Sequence, residues 1–378
     1  MNQHINTFFS LLSAGLWERP VKVSSESGAP GSALTKRELK ALFALSEQQS
    51  VTGLVTAGLE RVEGATLDKA AVMAFMTSVI PLEARNAGMD DFIAKLVRQL
   101  REEGIEVVLV KGQGIARCYE RPSWRMSGDV DFLLDAENYE KAKAFLKPRA
   151  SSVDEEDEQA MHLGMHLGTW IVELHGHLHA NITKRTDGVI ERLERETTLQ
   201  GATRVWKNGD ADILLPSPDN DVIFVFTHIL QHFFRGGIGL RQICDWCRLL
   251  WTYQETIDRN LLESRLKEMD LMSEWKAFAA LAVDYLGMPI EAMPLYDRSR
   301  RWARKGYLIL RFVLDVGNFG HNRDASFYQK YPYVIYKAIS LGRHIGDFFR
   351  HFAIFPLDSL RVFCGTLTGG VEAVAKGK

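Results

Sequence analysis

The chain has 378 residues, with 46 Lys and Arg against 48 Asp and Glu and a net charge of -2. So balanced a charge exerts no global pull on nucleic acid or on an anionic membrane, which leaves only local basic patches to consider. Its 46% hydrophobic and 25% charged content is that of a globular protein, and the length gives room for about two or three packed units.

Four cysteines, Cys118, Cys244, Cys247 and Cys364, indicate no disulfide framework and point to a reducing, cytoplasmic setting. No apolar run approaches the length of a membrane span. Met1 to Leu16 lacks the basic stretch and small-residue cleavage site of a signal peptide, and reads as an apolar-striped helix. Ser24 to Ser32 is rich in Ser, Gly and Pro and reads as a loop. Thr35 opens the next helix, with Glu38 completing a capping box. Helices follow at Val51 to Leu59, Leu67 to Val79 and Leu82 to Glu103, and Gly104 stops the last of them.

Val107 to Val110 reads as a buried strand. Lys111 and Gly112 end it at a turn, and Gly114 loosens the start of a helix that runs through Tyr119. Gly128 leads into a second strand, Asp129 to Leu134. Side chains alternate along a strand, so Asp129 and Asp131 share one face while Val130 and Phe132 take the other. Two carboxylates on one face repel each other when unpaired, and a hard divalent cation is their natural partner. The plain alternative is an exposed strand start with two solvated acids.

Asn138 to Leu146 has helical periodicity, ended by Pro148. Ser151 to Gln159 is acidic and reads as exposed, and Met161 to Leu167 as a strand or an edge segment. Trp170 to His179 reads as a third strand, with Trp170, Val172, Leu174 and Leu178 on one face and Glu173, His175, His177 and His179 on the other. An acid in mid-strand is costly unless partnered, which makes Glu173 a candidate third carboxylate beside a salt-bridged alternative. The histidine row could instead gather a Zn²⁺ ion with Glu173. Ile182 to Gln200 is less regular and acid-rich, and Asn208-Gly209 marks a hairpin within Thr203 to Leu215.

Beyond Pro216 and Pro218 the chain reads helical. Asp219 is the expected cap of a helix through Phe234. Further helices are expected at Leu240 to Tyr253, Asn260 to Met269, Met272 to Leu286, Arg298 to Asp315, Tyr331 to Phe349 and Pro356 to Cys364, before a frayed tail from Gly365 to Lys378. Cys244 and Cys247 have C-x-x-C spacing, but inside a helix with no strand before it, which argues against redox chemistry. Arg241 and Asp245 fall on one helical face, as structural or nucleotide-contacting groups. The basic run Arg298 to Lys305 reads as a solvated helix face, with an RNA or membrane contact as the alternative.

A strand, a glycine-bearing turn, a helix and then Asp-x-Asp on a neighbouring strand resemble the nucleotidyltransferase superfamily that includes DNA polymerase beta. The fuller pattern of Lys111-Gly112, Tyr119, Arg125 and Gly128-Asp-Val-Asp-Phe-Leu-Leu134 is similar to a bacterial branch of uncharacterised nucleotidyltransferases. The core motifs run from Val107 to His179, with a looser likeness in the helical flanks, including His228 to Asp245. One residue departs from the pattern: Gln113 follows Gly112, where the superfamily carries Gly or Ser.

The resemblance implies an α+β fold, a small mixed-sheet nucleotidyltransferase core over residues 105–216 between helical regions at 1–104 and 217–378. It implies transfer of a nucleoside monophosphate from an NTP to an acceptor hydroxyl or phosphate, with two Mg²⁺ (or Mn²⁺) ions held by three acids. Carried onto this chain, Asp129 and Asp131 hold metal and Glu173 completes the site or acts as base. Lys111, Gly112, Arg125 and Gly128 face the triphosphate, although Arg125 has the alternative of pairing with Asp129. Asn at either aspartate is expected to abolish turnover without loss of stability. The acceptor stays open between a small molecule, a protein side chain and an RNA end, as does the oligomeric state. Two rivals stay open as well: a Zn²⁺-dependent hydrolase on Glu173 and the histidines, and a nucleotide-binding scaffold without turnover, which Gln113 favours.

Overall fold

The N-terminal helices form where caps and apolar spacing place them. In the computed structural model, which describes residues 3–23, 34–64, 67–317 and 345–364, α1 (Gln3–Trp17) is followed by α2 (Lys36–Gln48). Thr35 caps α2: its hydroxyl accepts from the Glu38 N–H while the Glu38 carboxylate accepts from the Thr35 N–H. Next, α3 (Thr52–Leu59) crosses α1 so closely that a β-carbon at Gly15 would collide with the Leu54 carbonyl, and one at Gly58 with that of Leu11.

The expected break between two helices near Pro81 is absent. A single 34-residue helix, α4 (Lys69–Glu102), runs straight through it. Proline costs a helix one N–H···O bond, and its ring crowds the preceding turn. Here Pro81 and Thr77, whose carbonyl loses the partner, are both exposed, so water can serve it. Meanwhile Phe75, Val79, Asn86, Met89 and Ile93 continue one buried stripe across the proline.

The strands and their helices follow: β1 (Val108–Val110), α5 (Gly112–Ala116), β2 (Val130–Leu133), α6 (Ala136–Leu146), β3 (Ser152–Val153), β4 (His162–Leu167), β5 (Trp170–His175), α7 (Lys184–Leu199), β6 (Thr203–Asn208) and β7 (Ala211–Pro216). They build one seven-stranded sheet of order β3-β4-β5-β2-β1-β7-β6. It is mixed: β2 runs parallel to β5 and β1 to β7, and the other neighbours are antiparallel. One face supplies Leu109, Val130, Phe132, Leu163, Met165, Val172, Leu174 and Ile213 to a core closed by α4 and α6. The alternate residues of β2, β4 and β5 point the other way, and that face carries the acids and histidines.

Three expectations in this unit are corrected. The third strand ends at His175 and does not reach His179. The stretch expected to be irregular, Ile182 to Gln200, contains α7, capped by the Thr183 hydroxyl and burying Thr186, Val189, Ile190, Leu193 and Thr197. That stripe has helical spacing, but Gly188 and its threonines dilute the apolar signal. Within the acidic segment, Ser152 and Val153 add the short edge strand β3.

From α8 (Pro218–Arg235) the chain is helical: α9 (Leu240–Thr252), α10 (Arg259–Met269), α11 (Met272–Leu286), α12 (Arg300–Val316), and helices at 345–354 and 356–364. Ser217, not Asp219, stands at the cap position of α8, with Pro218 at the first helical position. Asp219 instead accepts from the Asp258 N–H at 2.8 Å. The α8, α9 and α11 side chains join α1 and α3 in one continuous core. Cys244 and Cys247 lie in it as buried free thiols, and burial pushes both thiols up, away from the reactive thiolate. Trp302 of the basic run is also buried, with Arg301 stacked on its ring and its indole N–H donated to Asp297. Among the described residues no helix is long and apolar enough to cross a membrane. The Ser24 to Ser32 loop, most of the Tyr331 to Phe349 helix and the tail from Gly365 lie outside the described residues.

Glu274 of α11 is buried, and burial first, then the nearby Asp358 carboxyl, pushes its own carboxyl well above the usual range. Such an acid stabilises the fold fully below its unfolded pKa of about 4.3, and the contribution is lost as pH rises through the folded value. The melting temperature of Glu274→Gln relative to the wild type should therefore rise as pH increases above about 5. At higher pH the variant should melt roughly 1–2 °C above the wild type, the shift that about 1 kcal/mol gives a chain of this length. Superimposable pH profiles of the two proteins would rule this out.

Candidate active site

Strand register builds the site. In the parallel β2–β5 pair Asp131 stands beside Glu173, and Leu133 beside His175. In the antiparallel β4–β5 pair His162 faces His175. Asp129, one residue before β2, turns to the same side: Asp129, Asp131 and Glu173 each offer an oxygen within 4.8 Å of the other two. The three acids picked out in the sequence are thus brought together.

Their charges are unequal. Repulsion from Asp131, followed by burial, raises the Asp129 carboxyl above its ordinary value. For Asp131, burial opposes ionisation, but Lys111 and His175 outweigh it and hold the carboxyl below its ordinary value. Lys111 Nζ and His175 Nε2 each lie 2.9 Å from Asp131 Oδ1. Burial also opposes a charged Glu173, yet contacts with His162 and His175 hold it well below the usual carboxylate range.

Lys111 reaches Asp131 from a backbone that L residues rarely adopt, with φ 57° followed by 40° at Gly112. A non-glycine residue held this way costs about 1–3 kcal/mol, which the surrounding structure must offset. Because α5 is only five residues long, its end supplies little of the aligned-dipole field of a full helix. Gln113, the departure from the expected turn, does not face the acids. Its amide donates to Asp90 Oδ1 at 2.6 Å, which ties the turn to α4.

Arg125 pairs with Asp245 and not with Asp129. Its Nε and Nη2 donate to the two Asp245 oxygens, each at 2.8 Å, and the Tyr119 hydroxyl donates to Oδ1 at 2.7 Å. Arg125 and Asp245 are each only 4% exposed, so this buried cluster clamps α9 against the segment leading to the Asp pair. Sequence reasoning expected Arg125 at the triphosphate; its fork is committed to Asp245, and the residue also borders the smaller cavity at the acids.

Two adjoining cavities meet at the acids. The smaller, about 220 Å³, is bordered by Lys111, Gly112, Gly128, Asp129, Asp131 and Arg241, among others. The larger, about 520 Å³, includes His162, His175, His177 and His179. Lys111, Glu173, His228 and His232 border both. His228 and His232, one turn apart on α8, were not singled out in the sequence, although their i, i+4 spacing was visible. Burial and then Lys111 lower both, His232 to about 4, so both are neutral near pH 7. His177 and His179 lie past the end of β5, stacked on each other and bonded to Glu194 and Glu191 of α7. They therefore do not join His175 on one ion, as the histidine-row reading required.

A family model described as an uncharacterised nucleotidyltransferase matches residues 35–287, more than half of the chain. The chain belongs to this nucleotidyltransferase family. No curated protein and no solved structure matches it. The nucleotidyltransferase span contains every site residue described here, from Lys111 to Asp245, and extends well beyond the Val107 to His179 motif region. An NTP is the substrate that this family chemistry implies.

Proposed function

We propose that the protein transfers a nucleoside monophosphate from an NTP, with Asp129, Asp131 and Glu173 holding Mg²⁺ or Mn²⁺ and Lys111 facing the triphosphate. The observation that carries this reading is the convergence of three acids on one patch of sheet. Their all-oxygen donor set suits a hard cation, and the repulsion felt by Asp129 is what such a cation relieves. When bound, the ions would neutralise developing charge on the phosphates and the leaving pyrophosphate. Asp131 orients that charge from β2, Asp129 from the residue before it and Glu173 from β5, and Lys111 neutralises a phosphate oxygen.

Arg241 is added to this set. Burial and the neighbouring Arg125 weaken its hold on a proton, and its Nε has no hydrogen-bond partner. Among the described residues no carboxylate forms an ion pair with it, so a ligand anion is the complement it lacks. The strand, Lys-Gly turn, short helix and Asp-x-Asp order supports kinship with the polymerase beta-like superfamily, in a bacterial, cytoplasmic protein. On this reading residues 105–216 are the catalytic unit, between a helical N-terminal region at 1–104 and a helical C-terminal region at 217–378 that supplies the acceptor specificity. The acceptor is a small molecule, a protein side chain or an RNA end.

The test is a melting curve with Mg²⁺ and each common NTP, alongside a pyrophosphate-release screen against candidate acceptors. At least one Mg–NTP should raise the melting temperature, because a ligand stabilises in proportion to occupancy. No stabilisation by any nucleotide, with no pyrophosphate released, would refute the reading. Arg241→Met should weaken binding of that Mg–NTP by roughly ten- to a hundredfold, the loss of a charged hydrogen bond. Unchanged affinity would remove Arg241 from the site.

A further inference from the structure

We propose that His162, Glu173 and His175 form a second cation site, suited to a borderline transition-metal ion of the zinc class, which shares Glu173 with the all-oxygen site of the Asp pair. The sheet fixes its geometry. His162 and His175 are directly opposed across β4 and β5, and Glu173 sits two residues earlier on the same face of β5. Opposite Glu173 stands Gly164, and the Asp154 carboxylate fills the space its missing side chain leaves. The two imidazoles stack with centroids 4.7 Å apart and planes 28° apart. Both turn a nitrogen to the same carboxylate oxygen: His162 Nε2 lies 3.2 Å and His175 Nε2 3.4 Å from Glu173 Oε2.

Those separations, the shorter of them also a hydrogen bond, match the spacing of ligands on one ion. Charge-assisted N–H···O bonds are about 2.7–2.9 Å long. Bonds of about 2.0–2.2 Å to a tetrahedral ion put neighbouring ligand atoms about 3.3–3.6 Å apart. The observed pair falls near the second range. Donor chemistry agrees, because two imidazoles with one carboxylate suit zinc-class ions, whereas Mg²⁺ takes oxygen. All three residues border the larger cavity, so a fourth position opens onto that cavity. Ligation at His175 Nε2 replaces its contact with Asp131, which keeps Lys111 at 2.9 Å. The site shares Glu173 with the proposed Mg²⁺ site but uses neither aspartate of the pair, so it can be tested without nucleotidyl transfer.

The experiment is titration of the chelator-treated, full-length protein with Co²⁺, read by visible absorption and without nucleotide. The wild type should develop the intense bands of low-coordinate Co²⁺ and saturate at a single equivalent. His162→Ala should lose them. Asp129→Asn and His166→Ala, the latter a histidine on the same strand, should keep them. His162→Gln, with circular dichroism on both variants, guards against a folding defect. Absence of bands in the wild type, their persistence without the His162 imidazole, or their loss in Asp129→Asn would each overturn the proposal.

Discussion

Asp129→Asn should reduce NTP turnover by about a thousandfold or more while leaving the fold at least as stable as before. Magnesium dehydrates reluctantly and is held by few carboxylates, so removing one charge removes much of the affinity and misplaces the reacting groups. Stability is spared because the Asp129 carboxylate is opposed mainly by its neighbour Asp131, and an amide relieves that repulsion. The sequence alone treated the two aspartates alike, but the structure separates them. Asp131 is the partner of both Lys111 and His175, so Asp131→Asn should lose turnover and also melt lower, because it leaves a buried lysine without its ion pair. Pyrophosphate release and melting temperature, measured together on both variants, check this. Turnover within tenfold of wild type in Asp129→Asn would remove that residue from the metal site.

Asp245→Ala should destabilise the protein by about 3–5 kcal/mol, the usual consequence of stripping a buried charge of its partner. The Arg125 guanidinium would keep its charge in a site where both residues are 4% exposed, and the Tyr119 hydroxyl would lose its acceptor as well. Urea denaturation measures the effect. The double variant Arg125→Met with Asp245→Leu should recover much of the loss, since apolar replacement of a whole buried pair is often neutral. A loss below about 1 kcal/mol in Asp245→Ala would mean that water reaches the pair and that the clamp is not a structural device. Because the clamp joins α9 to the segment before Asp129, the single variant should also weaken Mg–NTP stabilisation.

Local pattern made much of this chain legible. The alternation of Asp129, Val130, Asp131 and Phe132 placed the acids and the apolar residues on opposite faces of β2. The same alternation in Trp170 to His175 turned Glu173 away from the core. Thr35 with Glu38 announced the start of α2, and Asn208-Gly209 the turn between β6 and β7. Each of these signals depends on residues within a few positions of one another, where backbone geometry alone fixes direction.

Tertiary structure decided the rest. Which strand lies beside β2 depends on which apolar faces can be buried together under α4 and α6, and that choice set Asp131 next to Glu173. Arg125 met Asp245, 120 positions away, because the packing of α9 left a buried carboxylate opposite its fork. Pro81 failed to end α4 because a buried stripe continues past it and the orphaned carbonyl faces water. His177 and His179 left the row with His175, though not the larger cavity, when β5 ended and the chain turned toward α7. Periodicity gives a side chain its face, whereas burial over the whole molecule chooses its neighbour.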